Sequence, residues 1–354
     1  MRLLAGYLMR TVIGGTGLTL LVLLALAGFI EFVGQMDDTG TGTYTTVGAL
    51  LYTTLRMPLL AVDMLPVASL LGALLGLGAL AGNSELIAMR AAGISAWRLA
   101  GAVLLTGLVL SVGGAVVAEY LAPPMDQFAR KYRSAARSDS QLAGTQNTWV
   151  RDGDTVFNVE TNDGQLSFGG VFVFELGDGQ QLRSLGRATQ ADLADSDGWV
   201  LQNFAQTRFD GYSVQAESKA RQLQGFNVDA ELLGIAALRP RSLSMSGLLA
   251  YLGYLNSNGL DTRGYATELW RRVGDSIAVV LMPVLALGFV FGSLRRSGAG
   301  ARLLLGVLIG LGYFLISRTL SSSGQVYQLS PVIVGLAPAM LLLVATVIAV
   351  RRVR

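Results

Sequence analysis

Long apolar runs separated by short polar segments occupy most of the chain, and this pattern predicts six membrane-spanning helices. A spanning helix needs about 20 mostly apolar residues, and six stretches are of that kind. Three precede a long polar segment and three follow it. They are Thr11–Phe32, Leu59–Ala81, Leu99–Ala118, Val273–Phe291, Leu303–Leu320 and Val332–Val350. The first run exceeds the roughly 7–15 apolar residues of a signal-peptide core, so we expect a span rather than a cleaved signal.

The arginines predict the orientation of these spans. The two short loops Val33–Thr54 and Ser321–Pro331 contain no lysine or arginine. Cytoplasmic loops are normally the basic ones. We therefore expect both termini in the cytoplasm and the long polar segment outside it. The arginines on the predicted cytoplasmic side are Arg2, Arg10, Arg90, Arg98, Arg295, Arg296, Arg302, Arg351, Arg352 and Arg354.

The polar segment, about Arg130 to Pro240, changes to short alternating runs such as Val171-Phe172-Val173-Phe174. Asp-Gly pairs between short β-prone runs are a strong turn signal. The segment therefore predicts an all-β sandwich, roll or open barrel. The pairs are Asp152-Gly153, Asp163-Gly164, Asp178-Gly179, Asp197-Gly198 and Asp210-Gly211.

Beyond Pro240 the pattern predicts two short helices. Ser244 can cap the first and Asn258-Gly259 can end it. The second, Thr262–Arg272, would lead into the fourth span.

Composition excludes most catalytic chemistry. Apolar residues make up 52% of the 354 residues and charged residues 14%, against about 25% charged in soluble domains. The chain has no cysteine and no histidine, which removes thiol nucleophiles, Cys-type zinc sites and the usual general base. Neither Lys131 nor Lys219 follows a glycine, so there is no Walker A loop. We expect no enzyme activity, no metal, no cofactor in this chain and no nucleic-acid partner.

The loop after the second span predicts a short helix on the cytoplasmic face. Asn83 or Ser84 can cap it and Gly93 can end it. Glu85, Met89 and Ala92 would share one side. Such a helix can dock into a groove of a partner ATPase, or it can be a solvated interfacial turn.

The basic run after the third span places Arg130, Arg133 and Arg137 on one helical face. Guanidinium groups suit bidentate binding of phosphate, which favours an anionic lipid headgroup. Anchoring to the membrane surface, or pairing with a local carboxylate such as Asp126, is the alternative.

Two further features concern the spans themselves. Small residues four apart, Gly72 and Gly76 with Gly78, allow close helix approach, either to a partner or within this chain. The same holds for Gly306 and Gly310.

Several charges lie near or within the spans, and snorkelling to the interface is the simplest expectation. They are Glu31, Arg56, Asp63, Arg271, Arg272, Asp275 and Arg318.

Several motifs, in order along the chain, resemble the LptF/LptG family of lipopolysaccharide-export permeases. The resemblance is densest in Leu70–Gly78 followed by Ser84-Glu85-Leu86, Met89 and Ala92-Gly93. Glu119–Pro123 leading to Ala129–Arg133, Ser242–Leu248, Phe289–Arg295 and Val326-Tyr327 with Pro331 and Pro338 agree as well.

The resemblance implies a transmembrane subunit of an ATP-binding-cassette exporter in the Gram-negative inner membrane. It implies a heterodimer with an LptF-like paralogue, an LptB-like ATPase dimer that holds the ATP and Mg, and LptC- and LptA-like periplasmic proteins. Residues about 83–95 become the coupling helix, and Arg130 and Arg133 lie where the family has basic residues near the lipid phosphates. The coupling residues are then Glu85, Met89, Arg90, Ala92 and Gly93.

One position departs from the family. Some relatives have a lysine near the outer end of the first span, where this chain has Glu31. Arg56, nearby on the second span, can compensate for that reversed charge.

The sequence thus predicts a membrane α-helical protein of six transmembrane helices with an inserted periplasmic, all-β, jellyroll-like domain. Residues 1–129 hold the first three spans, 130–240 the β domain, and 241–354 the periplasmic helices and last three spans. The predicted function is a permease that extracts lipopolysaccharide from the outer leaflet and passes it to a periplasmic protein bridge. A permease for another lipid or a lipoprotein, or a membrane scaffold, is the alternative.

Overall fold

The computed structural model describes residues 2–137, 146–161, 167–168, 170–177, 181–194, 198–210, 213–224, 239–291 and 299–351. The chain divides into two compact units. The membrane unit comprises Met1–Arg137 with Arg263–Arg354, and the β unit comprises Ser138–Thr262. These divisions differ from the predicted ones, because residues 130–137 belong to the membrane unit and residues 241–262 to the β unit.

Six helices of the membrane unit are long and apolar enough to cross a membrane, and each contains one predicted span, so the six-span prediction is confirmed. The helices of this unit are α1 (Arg2–Met36), α2 (Thr46–Gly82), α3 (Glu85–Ala91), α4 (Ala96–Val116), α5 (Ala122–Arg137), α7 (Arg263–Phe291), α8 (Ala299–Val326) and α9 (Pro331–Arg351). Helix α6 (Met245–Ser257) belongs to the β unit. Of the predicted cytoplasmic arginines, Arg295, Arg296, Arg352 and Arg354 lie outside the described residues.

Several helices run well past their apolar stretches. Helices α4 and α5 are joined by a π-helical turn, Val117–Leu121, which precedes Pro123 and Pro124. Proline has no N–H to donate to the carbonyl four residues earlier, and a π-turn is one way a helix absorbs that defect. The predicted helix Thr262–Arg272 is not a separate element, because α7 is continuous from Arg263.

Helices α1 and α2 pack so closely that glycines of the two backbones touch. A Cβ on Gly15 would meet the Gly72 carbonyl, and one on Gly76 would lie 2.9 Å from the Thr11 carbonyl oxygen. One turn further along α1, the Thr19 hydroxyl donates to the Ala68 carbonyl at 2.9 Å. Gly72 and Gly76 therefore serve packing within this chain.

Replacing Gly15 with alanine is expected to destabilise the membrane unit by about 1–3 kcal/mol, because the new methyl group would press on the α2 backbone. The adjacent Gly14 is a matched control, since a Cβ there meets nothing within 4 Å. Gly14→Ala should be neutral or stabilise by up to about 1 kcal/mol through helix propensity. Thermal unfolding of both variants in detergent measures the difference, and equal midpoints would contradict this packing.

The β unit contains one antiparallel sheet, in the strand order β1-β2-β4-β5-β7-β6-β3, with β8 also paired to β7. Val150, Phe157, Val173, Leu201 and Phe204 lie in its buried core. The inserted all-β domain is therefore confirmed. The strands are β1 (Gln146–Asp152), β2 (Thr155–Thr161), β3 (Ser167–Phe168), β4 (Val171–Leu176), β5 (Leu182–Ala188), β6 (Gln190–Ala194), β7 (Gly198–Asp210) and β8 (Ser213–Gln224).

The turn between β1 and β2 confirms the first predicted Asp-Gly turn. Asp152 pairs with Thr155 across it, and Gly153 takes a left-handed backbone with φ of 58°. The pairs at 163–164 and 178–179 lie outside the described residues, as do Asp197 and Gly211 of two others.

Helix α6 covers the free edge of β1. The Tyr254 hydroxyl donates to the Arg151 carbonyl at 2.7 Å and accepts from the Arg151 N–H at 2.9 Å. It thus takes the place of a neighbouring strand, which protects an otherwise unpaired edge. Burial raises the pKa of Tyr254, so its hydroxyl stays protonated. As predicted, Ser244 caps this helix, accepting from the Gly247 N–H at 3.0 Å.

Candidate coupling helix and charged networks

The basic face of α5 is part of a network of ion pairs, here called the α5 network. Its members are Glu31, Asp38, Tyr52, Arg56, Asp126, Arg130, Arg133 and Arg137. They come from α1, the loop after it, α2 and α5. All five residues predicted to contact lipid, namely Glu31, Arg56, Arg130, Arg133 and Arg137, lie in it.

Asp126 holds one half of the α5 network. Its side chain is fully buried, and its two oxygens accept from Arg56 Nε at 3.0 Å and Arg130 Nε at 2.8 Å. Arg56 also pairs with Glu31. The predicted partnership of Arg56 with Glu31 is therefore present as a direct ion pair.

Asp38 holds the other half. It pairs with Arg133 and, at 3.1 Å, with Arg137. The buried Tyr52 ring lies between the halves, with the Arg56 guanidinium 5.4 Å and the Arg133 guanidinium 5.3 Å from its centroid. Arginines of this kind are stabilised by the ring's negative face, so Tyr52 joins both halves.

The α5 network keeps a capacity for anions. Its four arginines face three carboxylates, which leaves one positive charge in excess. The Arg130 and Arg137 side chains are 30% and 42% exposed. A guanidinium carries five N–H donors, so these arginines can keep their carboxylates and still donate to a phosphate.

A second cluster, the α7 network, lies within the spans. Arg271 donates twice to Glu268, at 3.0 and 2.8 Å, and once to Asp275 at 2.6 Å. It lies 3.7 Å from Asp63 of α2, and Arg272 pairs with Glu268 at 3.1 Å. These charges pair inside the unit, so snorkelling is the wrong account of them.

Helix α8 joins the α7 network through Tyr313, whose hydroxyl donates to Asp275 at 2.9 Å. The cluster therefore connects α2, α7 and α8. Arg318, by contrast, is exposed and lies over the Phe314 ring at 5.5 Å.

The predicted coupling helix is α3, which begins at Glu85. Ser84 occupies the cap position in a left-handed conformation, without a side-chain cap. The C-terminal end is capped by two backbone hydrogen bonds. The Gly93 N–H donates to the Arg90 carbonyl oxygen at 3.0 Å, and the Ile94 N–H donates to the Met89 carbonyl oxygen at 3.2 Å. This is a Schellman ending with glycine at the left-handed position, as predicted for Gly93.

One side of α3 packs inward. Leu86 is fully buried in the membrane unit's core with Leu8 of α1, and Met89 packs against that core. Met89 therefore does not share an open face with Ala92, which is exposed. Arg90 lies 5.6 Å from the Phe291 ring centroid.

The open face of α3 presents residues that the sequence analysis did not single out. Ile87, Ala88 and Ala91 are exposed on it. Ala91 follows Ala88 by three residues and Ile87 by four, and such separations place side chains next to each other on one face of a helix.

Glu85 is bonded to α1. The Tyr7 hydroxyl donates to Glu85 Oε2 at 2.8 Å. Sequence reasoning missed this contact, because the residues lie 78 positions apart and neither has a local pattern that points to the other.

Gly78 meets an arginine rather than a helix backbone. Arg302 of α8 donates to the Gly78 carbonyl at 2.6 Å, and a Cβ on Gly78 would lie 2.6 Å from the same nitrogen. Gly306 and Gly310 receive Leu74 and Val67 of α2. The glycines of α8 therefore also pack within the chain.

No group of three or more Asp, Glu, Cys or His residues that could hold a metal ion occurs among the residues whose positions the structure describes.

Comparison with known proteins gives one family over nearly the whole chain. The model of the family "Lipopolysaccharide export system permease LptF/LptG" matches residues 6–352. The lipopolysaccharide export system permease protein LptG of Escherichia coli K12 is 32% identical over 338 residues, covering 94% of this chain and 93% of that protein. LptG of Haemophilus influenzae is 31% identical over 340 residues, covering 96% and 95%.

Proposed function

Because the chain belongs to the LptF/LptG family of lipopolysaccharide export system permeases, we propose that it is the permease subunit of an ATP-driven lipopolysaccharide exporter. It lies in the inner membrane with both termini in the cytoplasm and the β unit in the periplasm. Lipopolysaccharide enters from the outer leaflet and leaves toward a periplasmic protein bridge. No observation favours another lipid, a lipoprotein or a scaffold.

The observation that carries the mechanism is the position of Glu85 at the start of α3. The helix is short and is anchored by the fully buried Leu86, yet its opposite face is exposed and apolar. An acidic side chain beside Ile87, Ala88 and Ala91 suits a partner groove that is apolar with a basic residue at its rim. We assign this partner as an LptB-like ATPase dimer, which supplies the ATP and Mg.

The α5 network is the proposed contact for the lipid phosphates. Arg130 and Arg137 are its most exposed arginines, so they meet the phosphates first. Asp126 and Glu31 hold Arg56 in place, so Glu31 acts through Arg56 and not on the lipid. An LptF-like paralogue completes the lipid cavity, and LptC- and LptA-like proteins receive the lipid.

Substitution of Glu85 tests the ATPase contact. Tagged wild-type and Glu85→Ala protein are isolated from native membranes in mild detergent, and ATPase activity and bound lipopolysaccharide are measured. We expect the wild type to carry both. The variant should keep the lipid, but its copurified ATPase activity should be at least about 10-fold lower than that of the wild type, as for removal of an interfacial charge. Glu217→Ala, an exposed carboxylate of β8, is the control and should behave as wild type.

Two outcomes count against the proposal. Wild-type protein that arrives without ATPase and without lipopolysaccharide would overturn the exporter and leave a scaffold. Equal ATPase activity with wild type and Glu85→Ala would overturn the role of Glu85.

A further inference from the structure

Tyr7 and Glu85 form a contact that chain connectivity does not impose. Glu85 is joined through the backbone to α2 and α4, whereas Tyr7 lies in the second turn of α1. The hydroxyl–carboxylate distance is 2.8 Å, which is a good hydrogen bond to a charged acceptor. It lies at the exposed rim of the core cluster to which the fully buried Leu8 of α1 and Leu86 of α3 both belong.

We propose that Tyr7 is a positioning residue for Glu85, holding its carboxylate in the orientation that the ATPase recognises. This role rests on the proposed function of α3. A free glutamate side chain samples several rotamers and loses that freedom on docking. Tyr7 fixes the side chain beforehand, which is preorganisation of a binding site.

The chemistry of the pair suits this role. Tyr7 donates to Oε2, and a carboxylate accepts at both oxygens, so Oε1 remains for a cation of the partner. The tyrosine hydroxyl is neutral, so the negative charge of Glu85 is retained. Tyr7 is 46% exposed, so its hydroxyl contributes little to the buried core and its removal spares the fold.

The first turn of α3 has no side-chain cap, which favours a contact from another helix to hold Glu85. Ser84, at the cap of α3, has a left-handed backbone and no side-chain cap bond, so the first turn of the helix lacks its usual brace. The Tyr7 hydroxyl of α1 supplies support to Glu85 from another helix.

The test is a double-mutant cycle on ATPase affinity. Permease complex from native membranes is placed in lipid nanodiscs, stripped of its ATPase and titrated with it. Tyr7→Phe should raise the ATPase concentration for half-maximal assembly by about 5- to 10-fold, which lies within the range for loss of a typical intramolecular hydrogen bond. In a Glu85→Ala background, Tyr7→Phe should have no further effect. Tyr120→Phe, at a 76% exposed tyrosine, is the control.

The cycle separates positioning from a general structural role. A structural role would lower affinity equally in both backgrounds and would lower the thermal midpoint of Tyr7→Phe, and either result overturns the proposal. Unchanged affinity in Tyr7→Phe with a clear effect of Glu85→Ala overturns the role of Tyr7 alone. Wild-type complex that binds no ATPase overturns the proposed function itself.

Discussion

Replacing Arg271 with alanine is expected to destabilise the membrane unit by about 3–5 kcal/mol, as for other buried pairs that lose one partner. Arg271 bonds to Glu268 and Asp275 and lies near Asp63. Its side chain is only 14% exposed. Without it, three carboxylates in a poorly solvated site would lose the cation that they share, and uncompensated negative charge at that depth is costly. Reversible unfolding in mixed detergent micelles measures the loss.

Two variants control this experiment. Arg318→Ala removes the same side chain from an exposed site and should change stability by no more than about 0.5 kcal/mol. Arg271→Lys keeps the charge but lacks the planar fork that contacts Glu268 twice, so it should recover only part of the loss. Equal losses at Arg271 and Arg318 would show that the α7 network contributes nothing.

Replacing Asp126 with alanine is expected to cost about 3 kcal/mol of stability and to abolish retention of lipopolysaccharide. The carboxylate is fully buried between Arg56 and Arg130. Its loss leaves Arg56 with Glu31 and frees Arg130 from the geometry proposed for the phosphate contact. Thermal unfolding and lipid recovered with the purified protein measure the two effects.

Asp37→Ala is the matched control, because Asp37 is exposed and lies beside Asp38 of the network. It should leave both readouts unchanged. Asp126→Asn, which keeps the shape but not the charge, should fall between the two. Full lipid retention in a folded Asp126→Ala protein would contradict the proposed phosphate contact.

The spans could be predicted from sequence because apolar length alone determines them. Their ends could not. Helix α2 begins at Thr46, well before the apolar run at Leu59, and one face of this first part, with Gly48, Ala49, Tyr52 and Thr53, is buried against other parts of the chain. Tyr52 is one such residue, with arginines over its ring. An apolar run marks which residues can lie within the bilayer, not where hydrogen bonding of the helix stops.

Only those contacts of the candidate sites that are local in sequence could be predicted. Asp126 and Arg130 are four residues apart on one helix, a spacing that signals a pair. Asp38 with Arg133, and Tyr7 with Glu85, lie 95 and 78 positions apart. Contacts of that kind arise from tertiary packing, which no local pattern in a single sequence encodes.

The contacts between α1 and α2 recur at a regular spacing along both helices. Thr11 meets Gly76, Gly15 meets Gly72 and Thr19 meets Ala68. Each step of four along α1 is thus matched by a step of four back along α2. Glu31 and Arg56 continue the same count three steps later. The two helices therefore keep a single register from one end of their contact to the other.

Because these contacts share one register, α1 cannot shift along α2 at one contact without shifting at the others. Sliding α1 by one helical turn, about 5.4 Å, would offset every one of these contacts at once and bring Glu31 opposite Tyr52 instead of Arg56. The same slip would carry Tyr7 out of reach of Glu85. The shared register therefore makes the Tyr7–Glu85 hydrogen bond and the Glu31–Arg56 ion pair depend on each other, because a shift of α1 by one turn that breaks one also breaks the other.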